Sequence, residues 1–143
     1  MANALYDTGR EGFLAGEIDW DTAVIKVALV RSYTFAASHK FVSDVTTAGG
    51  VLAATSAALA SKTVAAGVAD AADITYTAVA SNASGHSLLV FQSSAVGGGA
   101  DVAATAQRVI AYYDTGTGLP VTPNGGDITI AWGNVAGTLI FKL

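Results

Sequence analysis

The sequence predicts an all-β protein: an antiparallel β-sandwich or jelly-roll-like domain with one short N-terminal α-helix. Most of the chain consists of short segments rich in β-branched residues, several with alternating apolar and polar positions. Gly, Asn, Asp and Ser separate these segments at short intervals, as in sandwiches and barrels. No linker rich in proline or charge divides the 143 residues, so we expect residues 1–143 to form one domain.

The helix is expected over about residues 3–15, where apolar residues recur at helical spacing. Asn3 is the candidate N-cap, and Gly16 is the candidate residue that stops the helix. Gly9 and Gly12 each cost a helix roughly 1 kcal/mol relative to alanine. We therefore expect another backbone to approach the helix closely at these glycines.

Residues 18–143 are expected to be β-rich. The candidate strands lie within residues 22–35, 49–56, 61–67, 73–80, 86–94, 108–115, 127–132 and 138–143. In the segment "DITIAW", Ile128, Ile130 and Trp132 share one face, which is typical of a half-buried strand with Trp132 in the core. Tyr112 and Tyr113 point to opposite faces of one strand, so we expect at most one of them in the core.

Residues 51–72 are rich in alanine, and by propensity alone they could form a helix. Their polar residues leave no clean apolar stripe at helical spacing. We therefore favour two short strands joined by "AALA" at residues 57–60, with a helix as the alternative.

The composition narrows the function classes. The formal net charge is −4 and no basic cluster is present, so we expect no nucleic-acid partner. The chain has no cysteine, so we expect no disulfide and no thiolate metal site. No apolar run of about 18 residues occurs, so we expect no membrane span, and the start of the sequence does not have the pattern of a secretory signal. Only 13% of residues are charged and 52% are hydrophobic, which favours a surface of neutral Ser, Thr, Ala and Gly that is also partly covered by other subunits.

The segment "YDTGTGLPVTPNGGD" has glycines that resemble a phosphate-binding loop. No lysine follows Gly116 and Gly118, and Pro120 and Pro123 disfavour the helix that a dinucleotide site needs. We predict instead a strand, a turn at "DTGTG", an extended "LPVTP", a turn at "NGG" and a second strand.

No other group of residues in the sequence predicts a catalytic or metal site. His39 and His86 have no neighbours at metal-ligand spacing. Glu17, Asp19 and Asp21 in "EIDWD" could offer oxygens to Ca²⁺, but their spacing is not that of an EF-hand, and a solvated strand start is favoured. We therefore expect no catalytic residue, no metal and no cofactor, and a protein that is not an enzyme.

Three stretches carry a family resemblance: "MANALYDTGREGFLAGEIDWDTAVIKVALV", "ATSAALASKTV" with "GVADAADITYTAV", and "IAYYDTGTGLPVTPNGGDITIAW". Together they resemble a family of small virion structural proteins of tailed bacteriophages. The similarity covers nearly the whole chain, except for residues 31–40 and 93–105, which look like variable loops. The resemblance implies a virion component, and it brings no active-site motif with it.

The resemblance and the composition together favour a capsid decoration (cement) protein. Such a protein would be made in the cytoplasm of the bacterial host, lie on the capsid surface, and bind and stabilise the shell of major capsid protein. We also expect contacts with itself, as a homotrimer because decoration proteins are often trimers. The alternatives are a tail component (tube, tip or fibre attachment) and a carbohydrate-binding β-sandwich that recognises host surface sugars.

The predicted interface residues are Tyr6, Arg10, Phe13, Leu14 and Trp20. Aromatic and arginine side chains often dominate protein interfaces. Tyr6 and Arg10 are the preferred candidates, because Phe13, Leu14 and Trp20 are at least as well explained by packing of the helix onto its own sheet.

Overall fold

The computed structural model describes residues 3–116, 118–133 and 140–143. The helices within these ranges are α1 (Asp7–Leu14) and α2 (Val42–Thr47). The strands are β1 (Ala4–Leu5), β2 (Ile25–Arg31), β3 (Val51–Thr55), β4 (Thr63–Ala65), β5 (Val68–Asp70), β6 (Ile74–Tyr76), β7 (Ser87–Gln92), β8 (Ser94–Ala95), β9 (Gly98–Asp101), β10 (Arg108–Tyr113), β11 (Ile128–Ile130) and β12 (Phe141–Lys142). Every pairing between these strands is antiparallel. The predicted all-β class is confirmed. Neither helix in the described ranges is long and apolar enough to cross a membrane.

The central layer is a five-stranded sheet in the order β1–β10–β7–β2–β3. Its middle strand, β7, is buried along its whole length. β2 pairs with it from Ile25 opposite Gln92 to Val30 opposite Ser87. Since successive side chains of a strand point to opposite faces, a strand buried throughout means that both faces of this sheet are covered.

The first face is covered by two small sheets, β12–β5–β4 and β11–β6. Val27 of β2 belongs to the same buried cluster as Tyr76 of β6 and Phe141 of β12. The Tyr76 hydroxyl also donates a 2.7 Å hydrogen bond to the Val27 carbonyl. Sheet therefore packs on sheet, as in the predicted sandwich.

The second face is covered by α2 and by the segment that precedes it. Val42 and Val45 of α2 pack with Val30 and Val109 of the central sheet. The sequence did not predict this helix, because "VSDVTT" is rich in β-branched residues of low helix propensity. The Asp44 carboxylate accepts hydrogen bonds from the backbone N–H groups of Lys40 and Phe41 at 2.8 and 2.9 Å. Tertiary packing and this N-terminal hydrogen bonding together hold α2.

The N-terminal helix is shorter than predicted. It begins at Asp7 and not at residue 3, because Ala4 and Leu5 pair with β10 as β1. The expected N-cap role of Asn3 is therefore wrong: its Oδ1 accepts hydrogen bonds of 3.1 Å from the backbone N–H groups of Asp114 and Thr115 at the end of β10. The predicted stop at Gly16 is confirmed, since Gly16 follows the C-cap with a φ of +72°.

Other local predictions have mixed outcomes. Residues 51–72 form strands, as favoured, although β5 adds a third strand to the two expected. The variable segment 93–105 contains the β8–β9 hairpin. The strand expected over 138–143 is present as β12, while residues 138 and 139 lie outside the described ranges.

The aromatic residues of β10 and β11 differ partly from expectation. Tyr112 is buried on the α2 face, but Tyr113 is also half-buried, packed against the core of the opposite face. The expectation of at most one core tyrosine is confirmed, since only Tyr112 belongs to the buried core, and Tyr113 packs at the margin of the core on the other face. Ile128, Ile130 and Trp132 do share one side, yet all three are only partly buried, so Trp132 lies at the margin of the core.

Candidate functional site

The structure divides the five predicted interface residues into a buried and an accessible group. Tyr6 is fully buried, with its ring 4.7 Å from that of Phe35, and its hydroxyl donates to the Tyr33 hydroxyl at 3.1 Å. Trp20 is 5% exposed and meets the ring of Phe141 edge-on at 5.1 Å. The interface prediction is therefore wrong for Tyr6 and Trp20, because both belong to the protein's own core.

The other three residues lie on α1 and differ in exposure. Phe13 is half-buried, with its ring 5.7 Å from that of Phe141. The Arg10 side chain is half-exposed and forms a 3.2 Å ion pair with Asp7. Leu14 is 91% exposed. This leucine therefore buries almost no surface in the fold and is the exposed large hydrophobic residue of α1.

At the C-terminal end of α1 lies a hollow of about 300 Å³, which we call the α1 hollow. The apolar side chains that line it are those of Phe13, Ile18, Trp20, Val64, Ala69, Val96, Phe141 and Leu143. Gly16 also contributes, so the hollow is lined by residues on both sides of Leu14 along the chain. Five parts of the fold thus meet there: the end of α1, the segment after it, the β4–β5 hairpin, the β8–β9 turn, and β12 with the residue that follows it.

Three of the five exposed large hydrophobic side chains in the described ranges lie around this hollow. The five residues are Leu14, Val51, Val64, Val96 and Leu143. Val64, Val96 and Leu143 line the α1 hollow, whereas Leu14, on α1, and Val51, on β3, do not. We call Val64, Val96, Leu143 and the α1 hollow together the docking surface.

The end of α1 is fixed to the sheet by a buried arginine. Arg108 of β10 is 4% exposed on its side chain and forms an ion pair with Glu17, whose side chain is 51% exposed. The same guanidinium donates to the Thr8 carbonyl of α1. Gln92 donates to the Glu17 carbonyl at 3.1 Å and accepts from the Asp19 N–H at 3.0 Å. These contacts hold α1 and the segment after it in one position relative to the central sheet.

A tight turn after Trp20 completes the support. The Asp19 carboxylate accepts hydrogen bonds from the N–H of Asp21 at 2.9 Å and from the hydroxyl of Thr22 at 2.8 Å. The same hydroxyl oxygen lies 2.9 Å from the Val96 carbonyl oxygen, so its single proton is shared between Asp19 and Val96 and ties the β8–β9 turn to this segment. The docking surface is therefore held together by hydrogen bonds as well as by packing.

The edge of the α1 hollow carries two carboxylates, Asp19 and Asp21. Hydrogen bonds from Thr22 hold the pKa of Asp19 below its usual range, so this carboxylate stays ionised. Lys62 lies near both and donates to the Ala23 carbonyl, while burial lowers the pKa of its ammonium. Within the described residues no group of three His, Cys, Asp or Glu side chains could hold a metal ion.

The remaining candidate residues have structural roles in the described chain. The Nδ1 of His39 lies 2.8 Å from the Tyr33 hydroxyl, and that of the buried His86 lies 2.8 Å from the Ser84 carbonyl. His86 and Val121 exchange backbone hydrogen bonds of 2.7 and 2.9 Å, so the predicted extended conformation of "LPVTP" is confirmed there. Gly116, Gly118 and Gly125 have positive φ, as the predicted turns require.

A second cavity, of about 990 Å³, lies on the same side of the central sheet. It is lined by the aromatic side chains of Tyr113, Trp132 and Phe141 and by polar side chains that include Asn3 and Thr129. Asn3 bonds with Thr115, and the hydroxyls of Thr75 and Thr129 lie 3.0 Å apart. Aromatic rings beside polar groups are the elements that a small-molecule site combines.

Sequence reasoning named Phe13 and Trp20 among its interface candidates but missed the exposed residues of the docking surface. Val64, Val96 and Leu143 come from three distant parts of the chain, and each looks like an ordinary core residue in its own segment. Only the fold shows that they are exposed together. No protein-family model, no curated protein and no solved structure matches this chain.

Proposed function

We propose that this chain is a non-enzymatic structural subunit of a bacteriophage virion, and within it a capsid decoration protein that binds and stabilises the shell of major capsid protein. The resemblance of three stretches of the sequence to virion structural proteins supports the assignment of this chain to a virion. The observation that carries an assembly role is the clustering of the exposed side chains of Val64, Val96 and Leu143 around one hollow. A contiguous apolar patch on a folded protein marks a surface where another molecule binds.

The composition fits adhesion by apolar burial. Only 13% of the residues are charged, so few ion pairs are available to hold a partner. Burying a valine or leucine side chain contributes about 1.5–3 kcal/mol, so a few such residues give a modest single contact. A decoration protein repeats that contact over a whole shell, and linked copies bind far more strongly than isolated ones.

The charged groups of the described chain fit a structural role too. Arg108 and Glu17 fix α1, and Lys26 pairs with Asp101 at 2.7 Å between β2 and β9. Asp44 holds the start of α2 through backbone N–H groups. These groups are engaged in the fold, and an assembly subunit needs a stable fold more than it needs reactive side chains.

Density-gradient purification of the phage that encodes the chain tests the virion assignment. We expect the protein to sediment with intact particles and to remain after a high-salt wash, because apolar contacts are not screened by salt. Quantitative blotting should give many copies per particle, as a shell component requires. Recovery of the protein only from the unsedimented lysate would contradict the proposal.

A carbohydrate-binding role is the second candidate, and the larger cavity is the observation that favours it. Tyr113 and Trp132 supply the aromatic surfaces, and Asn3 and Lys142 the polar groups, that a sugar site combines. Binding of the purified protein to a panel of bacterial surface glycans tests this role. A bound glycan that is lost in Trp132→Ala, while Leu14→Ala still binds it, would favour this candidate over decoration.

A further inference from the structure

The turn before β11 contains an asparagine followed by two glycines, Asn124, Gly125 and Gly126. All three residues are exposed, and Gly125 has a φ of +92°. No atom lies within 4 Å of a Cβ placed on Gly125. Among the described residues, none accepts a hydrogen bond from the Gly125 N–H. The peptide unit that follows Asn124 is therefore accessible and sterically unhindered.

The Asn124 side chain folds back over this peptide unit. Its Oδ1 accepts a 3.0 Å hydrogen bond from the Gly126 N–H. That bond closes a ring of atoms that contains both the side-chain carbonyl carbon Cγ of Asn124 and the backbone nitrogen of Gly125. Attack of this nitrogen on Cγ puts negative charge on Oδ1, where the Gly126 N–H already donates, and a donor aimed at a developing oxyanion lowers the barrier to such a step. The turn thus holds an electrophile, a nucleophile and an oxyanion donor together.

We propose that Asn124 is a site of spontaneous deamidation, where the protein converts its own side-chain amide into a carboxylate. The Gly125 nitrogen attacks Cγ, the new N–Cγ bond closes a succinimide ring, and the Cγ–Nδ2 bond breaks. Ammonia leaves with the proton of the Gly125 N–H. Water then opens the ring at either of its carbonyls, which gives aspartate or isoaspartate at position 124. This chemistry belongs to the turn alone and does not depend on the proposed function.

The turn is tied to the segment before β7 on both sides of the modified bond. The Pro123 carbonyl accepts a 3.0 Å hydrogen bond from the Asn82 N–H, and the Gly126 carbonyl accepts one of 3.1 Å from the Val79 N–H. Isoaspartate routes the main chain through Cβ, so it lengthens the backbone between these two anchors. Both products add one negative charge to the formal net charge of −4. Deamidation therefore changes the charge of this turn and, in the isoaspartate product, its backbone.

Asn82 provides an internal comparison, because its side chain makes the same kind of hydrogen bond. Its Oδ1 accepts from the Ser84 N–H, two residues further on, at 2.8 Å. The residue between them is Ala83. The alanine methyl group hinders the approach of the backbone nitrogen to Cγ and restricts the backbone more than glycine does. We therefore expect Asn124 to be modified well before Asn82.

Incubation of the purified full-length chain in mildly alkaline buffer tests this inference. Ion exchange separates the chains that have gained a negative charge, and mass spectrometry of proteolytic peptides locates the modified residue. Labelling with a protein isoaspartate methyltransferase identifies the isoaspartate product. We expect Asn124 to convert at least roughly tenfold faster than Asn82, which corresponds to a barrier lower by about 1.4 kcal/mol. Circular dichroism should show that the chain stays folded during the conversion.

Two exposed substitutions separate the role of the glycine from that of the fold. Ala83→Gly gives Asn82 the same kind of neighbour as Asn124, so Asn82 should then convert at a rate close to that of Asn124. Asn124→Gln should abolish conversion at position 124, because the longer side chain must close a larger ring. Similar rates at Asn124 and Asn82 in the unmodified chain, or no effect of Ala83→Gly on Asn82, would overturn the inference. Conversion of Asn124 only when the chain is unfolded in guanidinium chloride would overturn it as well.

Discussion

Gly9 of α1 lies directly against Ile110 of β10: a Cβ atom placed on Gly9 would be only 2.9 Å from the Ile110 carbonyl oxygen. The helix can approach the strand this closely only because glycine has no side chain. This contact confirms the backbone approach predicted at Gly9, whereas Gly12 is approached by the side chains of Arg108 and Ile18. The height of α1 above the sheet, and with it the position of Leu14, is set at Gly9.

Gly9→Ala should therefore destabilise the protein. The added methyl group would meet backbone atoms of β10, which cannot move aside without disturbing the sheet, and overpacking of this kind costs about 1–3 kcal/mol. Gly97→Ala is the control, because no atom lies within 4 Å of a Cβ placed there. Thermal unfolding measures both, and equal melting temperatures for the two variants would contradict the close contact.

The buried ion pair should couple Arg108 and Glu17 energetically. Glu17→Gln leaves the buried guanidinium without a carboxylate, and we expect a loss of about 1–2 kcal/mol, less than for a fully buried pair because Glu17 is half-exposed. Adding Arg108→Met should cost less in this background than in the unmodified chain. Denaturant unfolding of the double-mutant cycle gives the coupling energy.

A double-mutant cycle on the exposed ion pair of Arg10 and Asp7 is the matched control. Its coupling should be below about 0.5 kcal/mol, since solvent screens exposed charges. A coupling between Arg108 and Glu17 no larger than this would show that the buried pair does not fix α1.

Stability should decrease in acid because of Asp44. Hydrogen bonds from the backbone N–H groups of Phe41 and Lys40 hold the pKa of this carboxylate below its usual value of 3.8. The unfolded chain therefore takes up the proton first as the pH falls, so the stabilisation is present above the usual value and is lost as the pH drops through the folded pKa.

Thermal unfolding from about pH 6 to about pH 2.5 measures this loss. At about pH 6 the melting temperature of Asp44→Asn should be lower than that of the unmodified chain. Over the whole pH range it should also change less. Parallel curves for the two proteins would contradict a role for the Asp44 charge in holding α2.

Much of the fold could be predicted because the pattern of the strands is local. The alternation in "DITIAW" and the β-branched run around Ile25 are properties of a few neighbouring residues. The helix α2 could not be predicted, since its low propensity is outweighed by the burial of Val42 and Val45. The start of α1 was misplaced for a related reason: pairing of Ala4 and Leu5 with β10 is a long-range contact that leaves no mark in the local sequence.

The candidate site likewise combines features that follow from local sequence with features that depend on tertiary packing. The sequence placed Leu14 on the helix but explained it at least as well by packing onto the sheet, whereas the structure exposes it. Tyr6 could not be recognised as buried without knowing that α2 and the segment before it cover its side of the sheet. Val64 and Val96 became part of the surface only through the way in which two turns meet α1. A surface built from distant segments is formed by tertiary packing, so no single stretch of the sequence reveals it.

Immunogold electron microscopy tests the central proposal most directly, with antibody raised against the purified protein and particles of the phage that encodes it. The decoration role predicts gold spread over the heads, with no label on particles from a phage in which the gene is deleted. Gold confined to the tail shaft or tip would contradict decoration and favour the tail component. Particles without gold, and without the protein when they are denatured and blotted, would contradict a place in the virion.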